Sequence, residues 1–179
     1  PVADEAARYI EANGPDLSWV YLEYSDDMGD RFGDSPQFYE SILTADKQAG
    51  RIWNAIKIRE KKFDEDWLIV ITTDHGRSAE TGKNHGGQSD RERSTWIVTN
   101  SNKLNERFEQ LPGMVDIMPS LARHLRLTIP EETMKEVDGV PFIGHIDLSN
   151  LHAELKADTI TLRWNSHSKK DNAAEIFIS

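Results

Sequence analysis

Trp67-Leu-Ile-Val-Ile-Thr-Thr-Asp-His-Gly76 is the stretch on which the fold turns. Its first seven residues are apolar or β-branched with no polar alternation, the pattern of a strand covered on both faces. A strand of this kind needs buried neighbours. Upstream, Leu17-Ser-Trp-Val-Tyr-Leu-Glu-Tyr24 offers one. Between the two, Ser35-Pro36 opens a long helix with proline in its first turn. Phe38, Ile42, Ala45, Ala49, Ile52 and Ile56 advance by fours and threes, which predicts one apolar stripe. Lys57, Arg59, Lys61 and Lys62 crowd the far end, where the helix dipole favours cations. Strand, long helix and strand form a βαβ unit, so the two strands are expected to run parallel. Thr95-Trp-Ile-Val-Thr99 reads as a third strand. The expected class is α/β, a parallel sheet flanked by helices.

The same reading extends to both ends. Val2, Ala6, Tyr9 and Ile10 predict an N-terminal helix stopped by Gly14-Pro15. Val115 to Leu125 predicts a short helix with Ile117, Leu121 and Leu125 in register and Pro119 in its first turn. After Asp147 the texture changes. Leu148 to Leu155 reads as a short helix or linker. Thr159 to Trp164 alternates, and Ala174 to Ile178 is a second strand candidate across the polar turn Asn165 to Asn172, which predicts a hairpin. The expected organisation is an α/β domain over residues 1–146, followed by a linker and the start of an all-β module over 147–179. The opening helix and the closing strand both read as cuts through a longer chain, so the α/β part is expected to be the C-terminal portion of its domain.

Composition narrows the function classes. The 179 residues carry 21 Lys plus Arg against 31 Asp plus Glu, a net charge of −10. No basic stripe is available to neutralise phosphates, which argues against a nucleic-acid scaffold. No run approaches the roughly 20 apolar residues that span a bilayer. The first residues are acidic and amphipathic, unlike a secretory signal. With no cysteine, disulfides, thiolate catalysis and cysteine zinc sites are excluded.

The chemistry concentrates at the ends of the expected strands. Glu23, Asp26, Asp27, Asp30, Asp34 and Glu40 face a single base, Arg31, within 18 residues. Carboxylates crowded at the carboxyl end of a parallel strand repel one another unless a cation intervenes. Asp26 and Asp30 meet one metal if the turn folds back, and Gly29 permits that; the plainer reading is a solvated acidic loop. Asp74-His75 ends the next strand and so is expected on the same rim. A carboxylate beside an imidazole suits Zn²⁺ or Mn²⁺. His85 follows in Asn84-His85-Gly86-Gly87, where glycines let backbone approach a ligand; the plainer reading is a surface histidine in a glycine turn. Arg77, Lys83, Arg91 and Arg93 lie in the same polar loop, either as phosphate holders or as partners of Glu80, Asp90 and Glu92.

Taken in order, Asp26-x-x-Gly29, Thr73-Asp74-His75-Gly76, Asn84-His85-Gly86, Val115-Asp-Ile-Met-Pro-Ser-Leu121 and Leu127-x-Ile-Pro130 resemble the alkaline phosphatase superfamily. The nearest branch is the nucleotide pyrophosphatase/phosphodiesterase-like enzymes, and the resemblance spans roughly Ala7 to Phe142. It implies metal-dependent hydrolysis of a small phosphate-ester substrate through two divalent ions, zinc by preference. It assigns Asp26, Asp30 and His85 to one ion, and Asp74 and His75 to the other. It also implies a Thr or Ser nucleophile and a further metal-binding Asp from an earlier part of the domain, ahead of Pro1. On that basis no catalytic residue is assigned within these 179, and the isolated chain is expected to be inactive. By the same analogy such proteins are often periplasmic, secreted or membrane-anchored.

One departure stands out. The family's D-x-x-G-H has Asp30 in place of its histidine. An anionic, oxygen-only ligand there shifts preference toward Mn²⁺, Mg²⁺ or Ca²⁺, or marks a degenerate site. The rivals are a sulfatase, phosphonate hydrolase or cofactor-independent phosphoglycerate mutase of the same superfamily, and a non-catalytic binding module with a degenerate metal site.

Overall fold

The computed structural model describes residues 2–168. They divide into two compact units, one up to Thr99 and one from Asn100 onward.

In the first unit, helix α1 (Val2–Asn13) packs on the long helix α3 (Pro36–Phe63). Ala3, Ile10, Ile52, Ala55 and Ile56 form its buried core, with Val20, Leu22, Trp67 and Ile69 packed against it. Each isoleucine removed from water contributes about 1.5–3 kcal/mol. The predicted apolar stripes hold in part: Ile52 and Ile56 are core residues, but Ile42, Val2 and Tyr9 are exposed. Ala3 and Ala55, which lie outside the expected stripes, are buried in the α1–α3 core. Small side chains let two helix backbones approach, so they mark this contact better than large ones do.

Caps fix the helix ends. Ser35 Oγ accepts from Phe38 N–H (3.2 Å) at the start of α3. Gly14 closes α1 with φ 55°, its N–H donating to Ile10 O (2.9 Å). Arg59 lies against Gly14, where a Cβ would overlap its guanidinium. Arg59 donates to Glu11 O (3.1 Å) and pairs with Glu65, whose carboxylate also accepts from Trp67 Nε1 (2.6 Å). One arginine thus ties the end of α1, the end of α3 and the approach to the next strand.

Two expectations are corrected. Leu17 to Glu23 forms no strand; Val20 and Leu22 are half-buried while Leu17, Trp19 and Tyr21 are exposed. The residues alternate like a strand but have no ladder partner among the described residues. Strand β1 (Val70–Thr72) instead pairs antiparallel with β2 (Ile97–Thr99), in the register Val70↔Thr99 and Thr72↔Ile97. Both two-stranded sheets among the described residues are antiparallel. The helix–strand mixture is compatible with α/β, but the parallel pair is not among the contacts described. Apolar runs report burial; they do not report which strand lies alongside.

The second unit is built around Phe142, Ile143 and Ile146. It contains the short helices α5 (Glu106–Glu109), α6 (Ile117–His124) and α7 (Glu131–Met134). A 3₁₀ turn, Met114–Asp116, leads into α6, and Pro119 sits in its first turn as expected. Apart from Pro119, the buried residues there are polar. Asp116 accepts from Arg107 Nε (2.9 Å) and Nη2 (2.7 Å), Gly113 N–H (2.7 Å) and Val140 N–H (2.7 Å). Ser120 accepts from Phe142 N–H (2.9 Å) and donates to Asp116 O (2.7 Å). This side of α6 is therefore a knot of satisfied hydrogen bonds, as a buried carboxylate requires.

Among the described residues a hairpin follows Asp147. Strand β3 (Leu148–Lys156) pairs antiparallel with β4 (Thr159–Ser166) through a two-residue turn at Ala157-Asp158. Leu148 to Leu155 is thus a strand, not a helix or linker. Leu148, Leu151 and Leu155 imitate helical spacing because a bulge between Ser149 and His152 breaks the two-residue alternation. The strand candidate Ala174 to Ile178 lies outside the described residues. No described helix is long and apolar enough to cross a membrane.

Candidate metal centre

Helix α2 (Tyr24–Phe32) replaces the acidic turn expected at Ser25 to Asp30. Asp26 and Asp27 stand in its first turn, where carboxylates offset the positive end of the helix dipole. Asp26 and Asp30 are four residues apart and so share one face, a turn apart. A helix, not a folded-back turn, brings the two carboxylates side by side. Gly33 ends it with φ 64°.

Strand β1 delivers Asp74 and His75 immediately beyond its end. Gly76 donates its N–H to Glu92 O (2.8 Å), and any Cβ there would overlap the Arg91 carbonyl. The backbone therefore turns at the one residue type the space admits. The polar loop that follows is ordered by charge. Arg91 grips Asp34 with both Nη atoms (2.8 and 2.6 Å), and this hydrogen bonding holds the Asp34 carboxyl below its usual range. Ser89 and Glu92 form a capping box at the start of helix α4 (Asp90–Arg93). Glu92 also accepts from Gly87 N–H (3.0 Å), and its carboxyl is lowered first by the Ser89 hydroxyl. That network ties down Gly86 to Ser89, the segment directly after His85. Arg93 pairs with Asp90 (2.8 Å), as the salt-bridge reading has it, whereas Arg91 takes Asp34, outside the loop, in place of Glu80, Asp90 or Glu92.

Asp26, His75 and His85 converge. Each offers a donor atom, and the three atoms lie within 4.8 Å of one another. His75 Nε2 is 3.9 Å from Asp26 Oδ1, and His85 Nε2 is 3.9 Å from Asp26 Oδ2. The two imidazoles stack at 3.7 Å with their planes 20° apart. His75 Nδ1 is 2.8 Å from the Gly76 carbonyl. A carbonyl only accepts, so the proton sits on Nδ1 and the Nε2 side faces Asp26. At 3.9 Å no hydrogen bond joins imidazole to carboxylate.

The donor set fits a divalent ion. Ligands at about 2.0–2.2 Å from tetrahedral zinc stand about 3.3–3.6 Å apart, closer than the 3.9 Å from each imidazole to Asp26 and within the 4.8 Å that bounds the group, so the donors would draw in on an ion. The His75 Nδ1–H held by a carbonyl is the outer contact that orients a ligating imidazole. Asp26, His75 and His85 are all part-exposed, so the centre is open to a small molecule.

Asp74 and Asp30, the other two expected ligands, are not members of this group of three. Asp74 Oδ1 lies 3.6 Å from His75 Nε2, at the edge of the group and largely exposed. Asp30 pairs with Arg77. Arg77 is 8% exposed; its Nη1 donates to Asp26 Oδ1 (2.6 Å) and its Nε to Gly82 O (2.7 Å). The sequence offered Arg77 only as a phosphate holder or a partner for loop carboxylates. Its actual partners are 47 and 51 residues away, a separation no local pattern reveals. Tyr21 joins the acidic rim: its hydroxyl is pushed up by desolvation first, then by Asp74, Glu23, Asp26 and Asp27. Thr72 and Thr73 turn their hydroxyls into the backbone, donating to Thr73 O (3.0 Å) and His75 O (2.9 Å). His167, given no role by the sequence, bonds Ser149 Oγ (2.6 Å) at the open end of the β3–β4 hairpin.

An aspartate and two imidazoles, gathered from a helix, a strand end and a glycine loop, define a candidate metal centre of the hydrolase type. Residues 2–141 match the sequence model of the type I phosphodiesterase / nucleotide pyrophosphatase family. The match covers well over half of the chain, and the chain belongs to that family. Phosphate-ester hydrolysis and small phosphate-ester substrates follow at the level of the family. No curated protein and no solved structure matches the chain.

Proposed function

We propose that this chain supplies the metal-binding rim of a phosphodiesterase or nucleotide pyrophosphatase that hydrolyses small phosphate esters. The observation that carries the reading is the convergence of Asp26, His75 and His85, from three separate stretches, on one point. Three donors within 4.8 Å of one another, with each imidazole Nε2 3.9 Å from an Asp26 oxygen and so beyond hydrogen-bond reach of it, suit a cation better than a proton.

Asp26 Oδ2, His75 Nε2 and His85 Nε2 would hold the ion. A bound divalent ion there withdraws charge from a phosphoryl oxygen and lowers the pKa of an oxygen nucleophile. The protein's own part is position and charge, because phosphoryl transfer asks for little else. Helix α2 sets Asp26; the Gly76 carbonyl orients His75; the Glu92 network holds the loop behind His85. Zinc suits the two imidazoles, and the surrounding carboxylates extend the range to Mn²⁺. Thr72 and Thr73 are committed to backbone acceptors, which supports a nucleophilic Thr or Ser outside these residues, ahead of Pro1. In the same reading the α/β part belongs to a larger sheet, and the β3–β4 hairpin begins an all-β module after residue 146.

The test is turnover of bis-p-nitrophenyl phosphate and a p-nitrophenyl nucleotide ester by the full-length protein with Zn²⁺ or Mn²⁺. Chelation, Asp26→Ala and His85→Ala should each abolish it. Turnover unchanged by all three would refute the assignment. Preferential cleavage of a sulfate ester would move the protein to the sulfatase branch.

A further inference from the structure

We propose that Arg77 is a built-in cation that takes the place of one of the family's two metal ions, leaving the centre to bind a single divalent ion. The inference rests on the metal-dependent reading above and deepens it.

The geometry is specific. Arg77 spans the two carboxylates of α2, with Nη1 on Asp26 and Nη2 on Asp30. Asp26 and Asp30 belong to one and the same expected ion. Asp30 is thereby spent on the guanidinium and Asp26 keeps one oxygen, Oδ2, facing His85. What remains is the Asp26–His75–His85 group, which draws on both expected ligand sets and places its donors around one point.

Arg77 is also held as a fixed part. Its side chain is nearly buried, and its Nε donates to the Gly82 carbonyl. The Phe38 ring lies 5.7 Å from its guanidinium carbon. Gly29 leaves the space it fills, since a Cβ on α2 would overlap the guanidinium. A guanidinium so buried is costly to unpair in place, because its desolvation is then left uncompensated. This separates Arg77 from a substrate clamp, which must be accessible.

Charge balance points the same way. Asp26, Asp30 and Asp74 are three carboxylates around two imidazoles. Among the described residues, the guanidinium already offsets one of these three charges and so leaves less negative charge for a second divalent ion. A second divalent ion beside Arg77 would meet a cation instead of a ligand. Asp30 in the histidine's place fits the same picture: a carboxylate accepts the arginine fork in a way an imidazole does not.

Arg77 is thus a positioning residue, and metal content reads its role directly. The full-length protein, saturated with Zn²⁺ or Mn²⁺ and desalted, should hold about one ion per chain by elemental analysis. Arg77→Met should raise this toward two, whereas Arg77→Lys, which keeps the charge, should remain near one. If Arg77→Met does not fold, Asp30→His supplies the test by removing the arginine's partner and adding an imidazole; it too should approach two. Two ions in the unaltered protein, or one in folded Arg77→Met or Asp30→His, would overturn the inference. No bound ion in the unaltered protein would instead overturn the metal-dependent function itself.

Discussion

Gly29 and Arg77, 48 positions apart, fit together as space and occupant: the guanidinium lies over the helix where a Cβ at position 29 would stand. The glycine of the D-x-x-G motif is therefore not required for a turn, since residues on both sides of it are helical. Gly29→Ala should cost about 1–3 kcal/mol through overpacking, despite alanine's better helix propensity. Chemical denaturation checks the sign. A stabilised variant would show that Arg77 moves aside freely.

His85 is one of three donors on the ion in the proposed centre, and it comes from the loop with the most exposed surroundings. His85→Ala should weaken Zn²⁺ binding by about 100-fold, the share of one ligand in a typical structural zinc site. Competition with a chromophoric chelator measures it. Unchanged affinity would remove His85 from the centre.

How much of this was legible beforehand differs by element. The helix ends were plain, because Ser35-Pro36 and Gly14-Pro15 act through their own backbone. Asp26, Asp74, His75 and His85 were visible as candidates, because residue type and motif order are properties of sequence. Their grouping was not. The structure collects Asp26, His75 and His85, and diverts Asp30 to Arg77, by folding a loop back on α2 across some fifty residues. The strand partner of β1 was lost for a similar reason: Trp67 to Thr73 announces burial, while pairing with Ile97–Thr99 is set by the compact loop between them. Leu148 to Leu155, expected as a helix or linker, is a strand whose bulge sets its leucines at helical spacing.

Acid should loosen the first unit through Glu65. Its carboxyl is held at about 2, first by the Arg59 hydrogen bond and then by that from Trp67, against an ordinary 4.5. A carboxyl lowered in the folded state stabilises fully above the unfolded value and loses that contribution as pH falls toward the folded one. The window is therefore from about pH 4.5 down to about pH 2. Glu65→Gln should lower Tm at neutral pH, and the two melting curves should converge as the pH approaches the bottom of that window. Parallel curves at all pH values would show that the Arg59 pair contributes nothing.

Asp116 holds the second unit together in the way Arg59 holds the first. It is 1% exposed and accepts from Arg107 and from two backbone N–H groups. Asp116→Ala leaves the guanidinium and both amides short of an acceptor, which should cost about 3–5 kcal/mol. Unfolding monitored by hydrogen exchange at Val140 and Gly113 checks it. Asp116→Asn, which keeps one oxygen acceptor, should be milder.

Glu92 offers a way to disturb the centre without touching a ligand. Its carboxylate accepts from Gly87 N–H (3.0 Å), Ser89 N–H (3.2 Å) and Ser89 Oγ (2.5 Å), so it organises the segment directly after His85. It makes no contact with Asp26 or His75 in the bonds described. Gly87 N–H bonds Oε1 while Ser89 N–H and Oγ–H bond Oε2, so Glu92→Gln, which retains one oxygen and turns the other into a donor, loses one side of this network. The loop should loosen while the α1–α3 core, which Glu92 does not enter, keeps its packing. Outer contacts of this kind are worth about 10–100-fold in metal affinity. We expect weaker Zn²⁺ binding of that order with a Tm close to that of the unaltered protein. A loss of Tm with unchanged affinity would reverse the argument, making the Glu92 network a support of the fold and not of His85.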